Sequence, residues 1–299
     1  MSTISWKDQS DGGMVQAIQG DIIMDHIELK ELYKNTFNAV SDGYGHSAMR
    51  FFSETANEVS LFLNLKGDEH VIDVATGTGY AALAIAKDLP DGQVTGIDFS
   101  EGMLSQANKN KKDQGIHNVT FIEMDMQAMD YPDNHFDVAV SAFSIFFVED
   151  MKKQLIHIAN KVKDGGKILV TTFFDNSFSP LVNLFIDRLE GYGIEPPSPA
   201  WKRVATKEQC TSLFKEAGFQ KINCEQKKCG YYLRDTSDWW YIIWNGGFRG
   251  LVNQLSKNDF TKFKKEHLAE IKELASGKGI WLEMSVLYTF GEKTHNKTN

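Results

Sequence analysis

The stretch Val71-Ile72-Asp73-Val74-Ala75-Thr76-Gly77-Thr78-Gly79 decides the fold of this chain. Its apolar start predicts a buried β-strand, its glycines predict a tight turn, and a helix is predicted from Tyr80 to Lys87. A glycine turn at a helix N-terminus brings bare backbone against a bound small molecule. The carboxylate of Asp73 would repel a phosphate there, so the stretch favours a ligand with a cationic end.

A regular alternation of strands and helices extends from this stretch. Further strands are predicted at 93–98, 119–123, 136–141 and 167–174, and helices at 102–112 and 151–161. Such alternation predicts a parallel sheet with helices on both faces. The flanking regions are predicted to contain helices 27–40, 51–63, 180–191 and 207–217, a strand at 219–224, helices 237–255 and 258–274, and a last strand at 281–290.

Composition narrows the class of protein. The 299 residues are 42% hydrophobic and 24% charged with a net charge of −8, which disfavours nucleic acid as a partner. No apolar run approaches the roughly 20 residues that span a bilayer, so stable membrane insertion is not expected. The three cysteines, Cys210, Cys224 and Cys229, contain no C-x-x-C pair. They predict free thiols in a cytoplasmic protein and no metal site.

Acidic residues fall at the C-terminal ends of three successive predicted strands, namely Asp73, Asp98 and Asp125. Ligands of open parallel sheets bind beyond those ends. Asp98 lies 19 residues after Gly79, a spacing at which a carboxylate accepts ribose hydroxyls. Phe99 could then cover an adenine face. Asp125 could accept a hydrogen bond from an exocyclic amine, and the N–H of Met126 could reach a ring nitrogen.

These features together resemble the class I S-adenosylmethionine-dependent methyltransferases, and most closely the UbiE-like group that acts on small molecules. The resemblance covers roughly residues 40 to 175 and the pattern of a final antiparallel strand. Five motifs carry it in order: residues 71–79; Gly96-Ile97-Asp98-Phe99-Ser100 with Met103-Leu104; Met124-Asp125-Met126-Gln127; Phe136-Asp137-Val138-Ala139-Val140-Ser141; and Val162-Lys163-Asp164-Gly165-Gly166-Lys167.

The resemblance implies a doubly wound, mostly parallel, seven-stranded Rossmann-like α/β sheet with an antiparallel last strand, N-terminal helices and a helical lid insertion. Residues 1–65 are expected to form an N-terminal tail and helical cover, and 66–175 the cofactor-binding core. Residues 176–299 would complete the sheet and supply the acceptor-site helices, with the lid at 234–277. Residues 1–20, polar and mixed in charge, are expected to be a frayed tail and not a signal peptide, and 293–299 a second tail.

The resemblance also implies roles for individual residues toward S-adenosylmethionine, which would leave as S-adenosylhomocysteine. The glycine turn would touch the methionine part and Asp73 its amino group, while Asp98 would bind the ribose. Phe99 and Met103 would sandwich the adenine, and Tyr44 would close over the carboxylate. The full implied cofactor set is Tyr44, Asp73, Ala75, Thr76, Gly77, Thr78, Gly79, Asp98, Phe99, Met103, Asp125, Met126, Ser141 and Phe146. The family often has glycine where Ala75 stands, and a methyl group there is small enough that binding should survive.

The expected reaction is in-line displacement at the sulfonium methyl group, with transfer to a small-molecule acceptor. Candidate acceptor-site residues are Phe174, Tyr232, Arg234, Trp244 and Arg249, and the candidate general base is His46. Two other functions remain open. The pattern Gly77-x-Gly79-x-x-Ala82 also fits an NAD-dependent dehydrogenase, and a methyltransferase fold can serve as a non-catalytic cofactor-binding or interaction protein.

Most of these residues also have a structural interpretation. Asp73 could cap the following helix, Tyr44 could pack the N-terminal helices, and His46 could be an exposed or hydrogen-bonded structural histidine. Aromatic residues at helical spacing are often core, and Arg234 and Arg249 could pair with nearby carboxylates.

Overall fold

The structure is a computed structural model that describes residues 26–294, with side chains from residue 28, and seven of the described strands form one sheet. The nine described strands are, in chain order, β1 (His70–Val74), β2 (Gln93–Asp98), β3 (Val119–Glu123), β4 (Phe136–Ala142), β5 (Val162–Phe173), β6 (Gln220–Lys228), β7 (Tyr231–Leu233), β8 (Ile280–Leu282) and β9 (Ser285–Glu292). The large sheet has the order β3-β2-β1-β4-β5-β9-β6, and β7 and β8 pair separately.

The large sheet is parallel from β3 to β5, whereas β9 lies antiparallel between β5 and β6. This confirms the predicted doubly wound α/β sheet with an antiparallel last strand. The side chains of Val71, Ile72 and Val74 are fully buried, as expected for a strand that is covered on both faces. Strand order reverses between β1 and β4, and ligands of open α/β sheets bind at such a point.

Ten described α-helices surround the sheets. They are α1 (His26–Val40), α2 (Phe51–Leu63), α3 (Tyr80–Ala86), α4 (Glu101–Asp113), α5 (Met151–Lys161), α6 (Leu181–Gly191), α7 (Lys207–Glu216), α8 (Thr236–Asn245), α9 (Arg249–Val252) and α10 (Lys257–Lys272). Local sequence sets several of their starts. The Ser100 side chain caps α4, and Thr206 with Gln209 forms a capping box at α7.

The second half differs from the sequence prediction in several places. The predicted helix 237–255 is interrupted at Gly246, which is extended, so that α8 ends at Asn245 and the short α9 follows. A Cβ on Gly246 would lie 2.7 Å from the Ile242 carbonyl oxygen, so glycine fits this conformation. The predicted last strand 281–290 is two strands, β8 and β9, and β8 pairs with the unpredicted β7. Strand β5 also begins at Val162, earlier than predicted.

The insertion between β7 and β8 packs against the N-terminal cover. The Tyr241 hydroxyl donates to the Gly43 carbonyl at 3.3 Å, and the Arg249 guanidinium donates to the Ala39 carbonyl at 3.2 Å. A Cβ on Gly43 would lie 2.6 Å from Asn245, so glycine permits this close approach. The insertion and the segment that contains Tyr44 therefore form one packed unit above the sheet.

The predicted N-terminal tail, residues 1–20, lies outside the described residues, as do 295–299. Lys293 does not belong to a tail, because its backbone exchanges hydrogen bonds with Gly165 and Gly166. Within residues 26–294, no helix combines the length and apolarity needed to cross a bilayer.

Candidate functional site

The loop at residues 75–79 is held against the ends of β1 and β2 by its own backbone. The Thr76 N–H donates to the Ile97 carbonyl at 2.8 Å, and the Gly79 N–H donates to the Thr76 carbonyl at 3.0 Å. The Thr78 carbonyl accepts a hydrogen bond from the Asn110 side chain of α4 at 3.0 Å. These contacts place the loop at the N-terminus of α3, beside the point where strand order reverses.

Glycine is needed at positions 77 and 79 of the loop for two different reasons. Both are in the left-handed region, with φ of 55° at Gly77 and 82° at Gly79. A Cβ at Gly79 would lie 2.7 Å from Cζ of Phe121, so Gly79 is required for packing. A Cβ at Gly77 would have no heavy atom of the described residues within 4 Å. Gly77 therefore keeps open a space that a side chain could otherwise enter, as expected where backbone approaches a ligand.

Ala75 also has a positive φ, of 57°. A left-handed conformation costs an alanine roughly 1–2 kcal/mol, whereas glycine adopts it freely. Glycine is favoured at this position because of the backbone conformation, and not because the methyl group is large. The expectation that binding survives considered only the small size of the Ala75 methyl group. Replacing glycine by alanine here also introduces backbone strain.

Asp73 is completely buried and acts on its own loop. Its Oδ2 accepts hydrogen bonds from the Thr76 hydroxyl at 2.6 Å and from the Ala82 N–H at 3.1 Å. Asp73 therefore caps α3, as proposed in the alternative interpretation of this residue as a structural one. Its Oδ1 is buried without a hydrogen-bond partner among the described residues. Burial raises the pKa of this carboxyl to about 6. The unpartnered oxygen leaves an acceptor for a ligand donor.

Asp98 joins the end of β2 to the glycine loop. Its Oδ2 accepts from the Gly77 N–H at 2.8 Å and its Oδ1 from the Ser100 N–H at 2.9 Å. The residue is 6% exposed, and burial raises the pKa of its carboxyl to about 6. Each carboxylate oxygen has a second lone pair, so Asp98 can still accept hydrogen bonds from ribose hydroxyls.

The predicted adenine-binding residues lie around the ends of β2 and β3. Met103 is 2% exposed, and Phe99 is half-buried with its ring 6.5 Å from that of Phe37. The Met126 carbonyl accepts from the Gln154 side chain at 2.7 Å. Their roles toward the adenine stay predictions.

Asp125 has a partner that was not predicted. Its Oδ1 accepts from the Gln127 N–H at 2.9 Å, and its Oδ2 accepts from Lys30 of α1 at 2.5 Å. The two residues of this ion pair are 95 positions apart, and no local pattern indicated the pairing.

Two predicted contacts lie at the end of β4. The Ser141 hydroxyl is fully buried and lies 2.5 Å from the Ser144 hydroxyl, which donates to the Val74 carbonyl at 3.4 Å. Phe146 is 3% exposed, and its carbonyl accepts from Arg203. The hydroxyl pair connects the ends of β1 and β4, while Phe146 belongs to the aromatic core.

Aromatic rings form a continuous row along the ends of β4 and β5. Tyr44 stacks on Phe52 with ring centroids 4.9 Å apart, Phe52 meets Phe143 at 5.4 Å, and Phe143 stacks on Phe173 at 4.4 Å. Burial, and secondarily the charge of Asp98, raises the pKa of the Tyr44 hydroxyl. Tyr44 thus stands near Asp98, at one end of the row. Phe52 was not among the predicted site residues. The adjacent aromatic pair Phe51-Phe52 at the start of α2 is the sequence signal that could have indicated it.

Phe143 directly follows β4 and has a φ of 54°, an uncommon conformation for a bulky residue. Its N–H donates to the Thr171 carbonyl at 3.0 Å, which holds the strained turn against β5. Strained residues of this kind are concentrated at binding and catalytic sites.

His46 serves a short 3₁₀ turn, Ser47–Met49. Its Nδ1 accepts from the Ala48 N–H at 3.1 Å, and its ring stacks on Tyr241 with centroids 3.9 Å apart. A neutral imidazole whose Nδ1 accepts a hydrogen bond carries its proton on Nε2. It therefore has no lone pair free for a proton, and this geometry favours the structural interpretation of His46.

The predicted acceptor residues of the insertion have structural partners. Arg234 donates to both oxygens of buried Asp238, at 3.0 and 2.6 Å. The Arg249 guanidinium lies 4.6 Å from the Trp244 ring centroid, in addition to its contact with α1. Tyr232 is 39% exposed beside Trp281. These contacts favour the structural interpretation of the arginines.

Phe174 lies directly after β5, and its N–H donates to the Ser285 carbonyl at 2.9 Å. Its side chain is half-buried against the hydrophobic core. Of the predicted acceptor residues, Phe174 is the one that directly follows a member of the row, Phe173, in the chain.

Comparison with known proteins places these features in context. A family model described as "Methyltransferase domain" matches residues 65–229 of the 299. The chain is 32% identical over 152 residues to the ubiquinone/menaquinone biosynthesis C-methyltransferase UbiE of Bdellovibrio bacteriovorus, covering 50% of this chain and 64% of that protein. It is 26% identical over 158 residues to a malonyl-[acyl-carrier protein] O-methyltransferase of Paenibacillus sp., covering 52% and 57%. The chain thus spans less than two thirds of the length of these relatives.

Among solved structures, the fold is similar to that of the [4+2]-cyclase SpnF, with a TM-score of 0.56 and 20% identity over 90% of this chain and 97% of that one. It is equally similar to the YcgJ protein of Bacillus subtilis, with a TM-score of 0.56 and 17% identity, covering 81% of this chain and 99% of that one.

Proposed function

The chain belongs to the methyltransferase domain family, and from this premise we propose that it transfers a methyl group from S-adenosylmethionine to a small-molecule acceptor. Family membership comes from the matching family model, whereas the activity, the cofactor and the acceptor class of this chain are proposed. Its geometric support comes from the two buried carboxylates and the glycine loop at the ends of β1 and β2.

One observation carries the cofactor assignment. The Oδ1 of Asp73 is buried and lacks a hydrogen-bond partner within the described part of the chain, and the loop that follows β1 contains Gly77, at which a side chain would meet open space. A buried carboxylate oxygen without a donor is unfavourable unless a ligand or water supplies one. The cationic amino group of S-adenosylmethionine is such a donor, and Asp98 remains able to accept from ribose hydroxyls. The residues present therefore fit this cofactor.

S-adenosylmethionine supplies a methyl group on a positively charged sulfur, which is already activated for displacement. The tasks left to the protein are to bind, to orient and to exclude water. Asp73 and Asp98 would fix the two polar ends of the cofactor. The row formed by Tyr44, Phe52, Phe143 and Phe173 begins near Asp98. Its half-buried members Tyr44 and Phe52 offer aromatic surface, which suits a flat or apolar acceptor and attracts a cationic methyl group.

The acceptor needs no general base if its reacting atom is already nucleophilic. Because Nδ1 of His46 is occupied by a backbone N–H, we favour such an acceptor over one that must first lose a proton. For the partners, we propose a small molecule without nucleic acid or membrane insertion. For the location, we propose the cytoplasm, since Cys210, Cys224 and Cys229 are all free thiols.

The alternatives differ in what they bind and what they turn over. A dehydrogenase is no longer favoured, because the family match and the antiparallel β9 both depart from a dinucleotide-binding domain. A non-catalytic cofactor-binding protein would share the whole site. Titration calorimetry with S-adenosylhomocysteine and with NAD tests the cofactor, and binding of NAD alone would overturn the proposal.

A methyl-transfer screen with labelled S-adenosylmethionine over cell metabolites, followed by product identification, tests the activity. Gly77→Ala is the matched negative control, because it fills the open space in the loop without touching other described side chains. Cofactor binding without labelled product from any metabolite would favour the non-catalytic function.

A further inference from the structure

Helix α1 lies across the ends of the nucleotide-side strands and is fixed firmly at its C-terminal end. The Asn38 Oδ1 accepts from the Ser100 hydroxyl at 2.6 Å and from the Gly102 N–H at 3.0 Å. Gly102 approaches so closely that a Cβ there would lie 3.1 Å from the Asn38 Cα. These contacts attach the end of α1 to the start of α4, where Asn38 satisfies a helix N-terminus.

The earlier part of α1 is held in a different way. Lys30 pairs with Asp125 at 2.5 Å and Lys34 pairs with Glu123 at 2.9 Å, and all four side chains are partly exposed, by 34%, 27%, 28% and 47%. Ion pairs of such exposure contribute only about 0.2–1 kcal/mol each. The ion pairs of this end are therefore more exposed to solvent than the hydrogen bonds of the Asn38 end.

Between the two ends, α1 covers apolar surface. Tyr33 and Phe37 both pack on Phe147, with ring centroids 5.2 and 5.3 Å apart, and Phe37 also faces Phe99. Phe99 is the residue predicted to cover the adenine. The helix thus bridges the strand end that carries Asp98 and the segment after β4.

The same carboxylate holds the helix and would recognise the cofactor. The Gln127 N–H fixes the Oδ1 of Asp125, and Lys30 occupies the Oδ2. We infer that α1 is a strap over the adenine side of the site and that Lys30 is its latch, a positioning residue that makes cofactor exchange depend on breaking the Lys30–Asp125 ion pair. The inference rests on the proposed function, because Asp125 is there the adenine-binding carboxylate.

The test compares dissociation rates of labelled S-adenosylhomocysteine, chased with unlabelled ligand, from wild type, Lys30→Met and Lys30→Arg. Loss of the latch should speed dissociation by up to about five-fold, the upper limit expected for one partly exposed ion pair. The wild-type rate should rise with added salt, whereas the Lys30→Met rate should rise less steeply, because only the Lys34–Glu123 pair is left for salt to screen. Lys30→Arg should restore the slow, salt-dependent rate.

Lys163→Met is the matched control. It breaks the similarly exposed Lys163–Asp137 ion pair, whose atoms are 2.6 Å apart and which does not involve α1. Equal rates and equal salt dependence for wild type and Lys30→Met, or the same acceleration in the control, would overturn the latch.

A second measurement needs no ligand. Amide hydrogen exchange of α1 should be faster in Lys30→Met than in wild type, while exchange of α4 should be unchanged. If wild type fails to bind S-adenosylhomocysteine, the proposed function is wrong, and the exchange experiment still decides whether Lys30 holds the helix. Unchanged exchange of α1 would contradict the latch directly.

Discussion

The Asp98 carboxylate accepts a hydrogen bond from the Gly77 N–H at 2.8 Å, which joins the end of β2 to the glycine loop after β1. One side chain therefore orders the loop and still offers lone pairs to a ligand. This relationship connects the fold to the proposed chemistry, because a ligand that binds Asp98 also meets the loop backbone.

Replacing Asp98 by alanine should remove the ribose contact and free the Gly77 amide. Hydrogen bonds to charged groups contribute about 1.5–3 kcal/mol, so the affinity for S-adenosylhomocysteine should fall at least ten-fold. Calorimetry measures this, with Asp91→Ala, an exposed acid before β2, as the control. Unchanged affinity in Asp98→Ala would show that the ribose assignment is wrong.

The stability contributed by Asp73 should depend on pH. Burial raises the pKa of its carboxyl to about 6 in the folded state, whereas an unfolded aspartate has a pKa of about 3.9. The folded protein holds this proton more tightly, so the contribution is complete below about pH 4 and is lost as pH rises through about 6. Asp73→Asn should therefore gain stability relative to wild type, by up to about 3 kcal/mol, between pH 4 and pH 7.5.

Urea unfolding of both proteins across that range is the measurement. A stability difference that stays constant with pH would mean that the Asp73 carboxyl is not titrating where its burial indicates.

The two loop glycines should separate binding from stability. Gly77→Ala meets no neighbouring atom of the described residues, so the protein should fold with a loss of about 1–2 kcal/mol from the left-handed backbone, but should bind cofactor much more weakly. Gly79→Ala adds a collision with Phe121 and should lose clearly more stability. Thermal unfolding and calorimetry report the two effects. Full affinity in Gly77→Ala would argue against close approach of a ligand to this loop.

Ala75→Gly should stabilise the protein by up to about 1 kcal/mol, because it removes left-handed strain that exceeds the added entropy of the unfolded chain. The control Ala82→Gly, inside α3, should instead destabilise by about 1 kcal/mol. Chemical unfolding of both variants measures the difference. Destabilisation by Ala75→Gly would mean that the φ of 57° carries little strain.

His46→Asn should leave turnover within a few-fold of wild type, since asparagine can also cap the turn that Nδ1 of His46 serves. His46→Ala should lose about 1 kcal/mol of stability with the cap. Once an acceptor is known, steady-state kinetics decide the matter. If a stably folded His46→Asn protein turned over about a hundredfold more slowly than wild type, the role of general base would be restored.

Local patterns predicted that Asp73, Asp98 and the glycine turn lie together at the ends of β1 and β2. Apolar runs that end in Asp73 and Asp98, and a glycine turn between strand and helix, mark backbone that must lie at one sheet edge. The same reasoning failed where the conformation of a glycine or the pairing of a strand depends on residues far away in the sequence. Gly246 ends a helix whose apolar pattern continues, and Trp281 lies on the exposed side of β8, whose partner is β7.

The sequence by itself determined the α/β class, the acidic strand ends and the methyltransferase motifs, because hydrophobic period and turn chemistry are local properties. Only the tertiary structure decided that Asp73 caps α3, that His46 is occupied by a backbone amide, and that Lys30 holds Asp125 across 95 residues. Such contacts depend on how separate elements pack against each other. A local sequence pattern does not specify that packing.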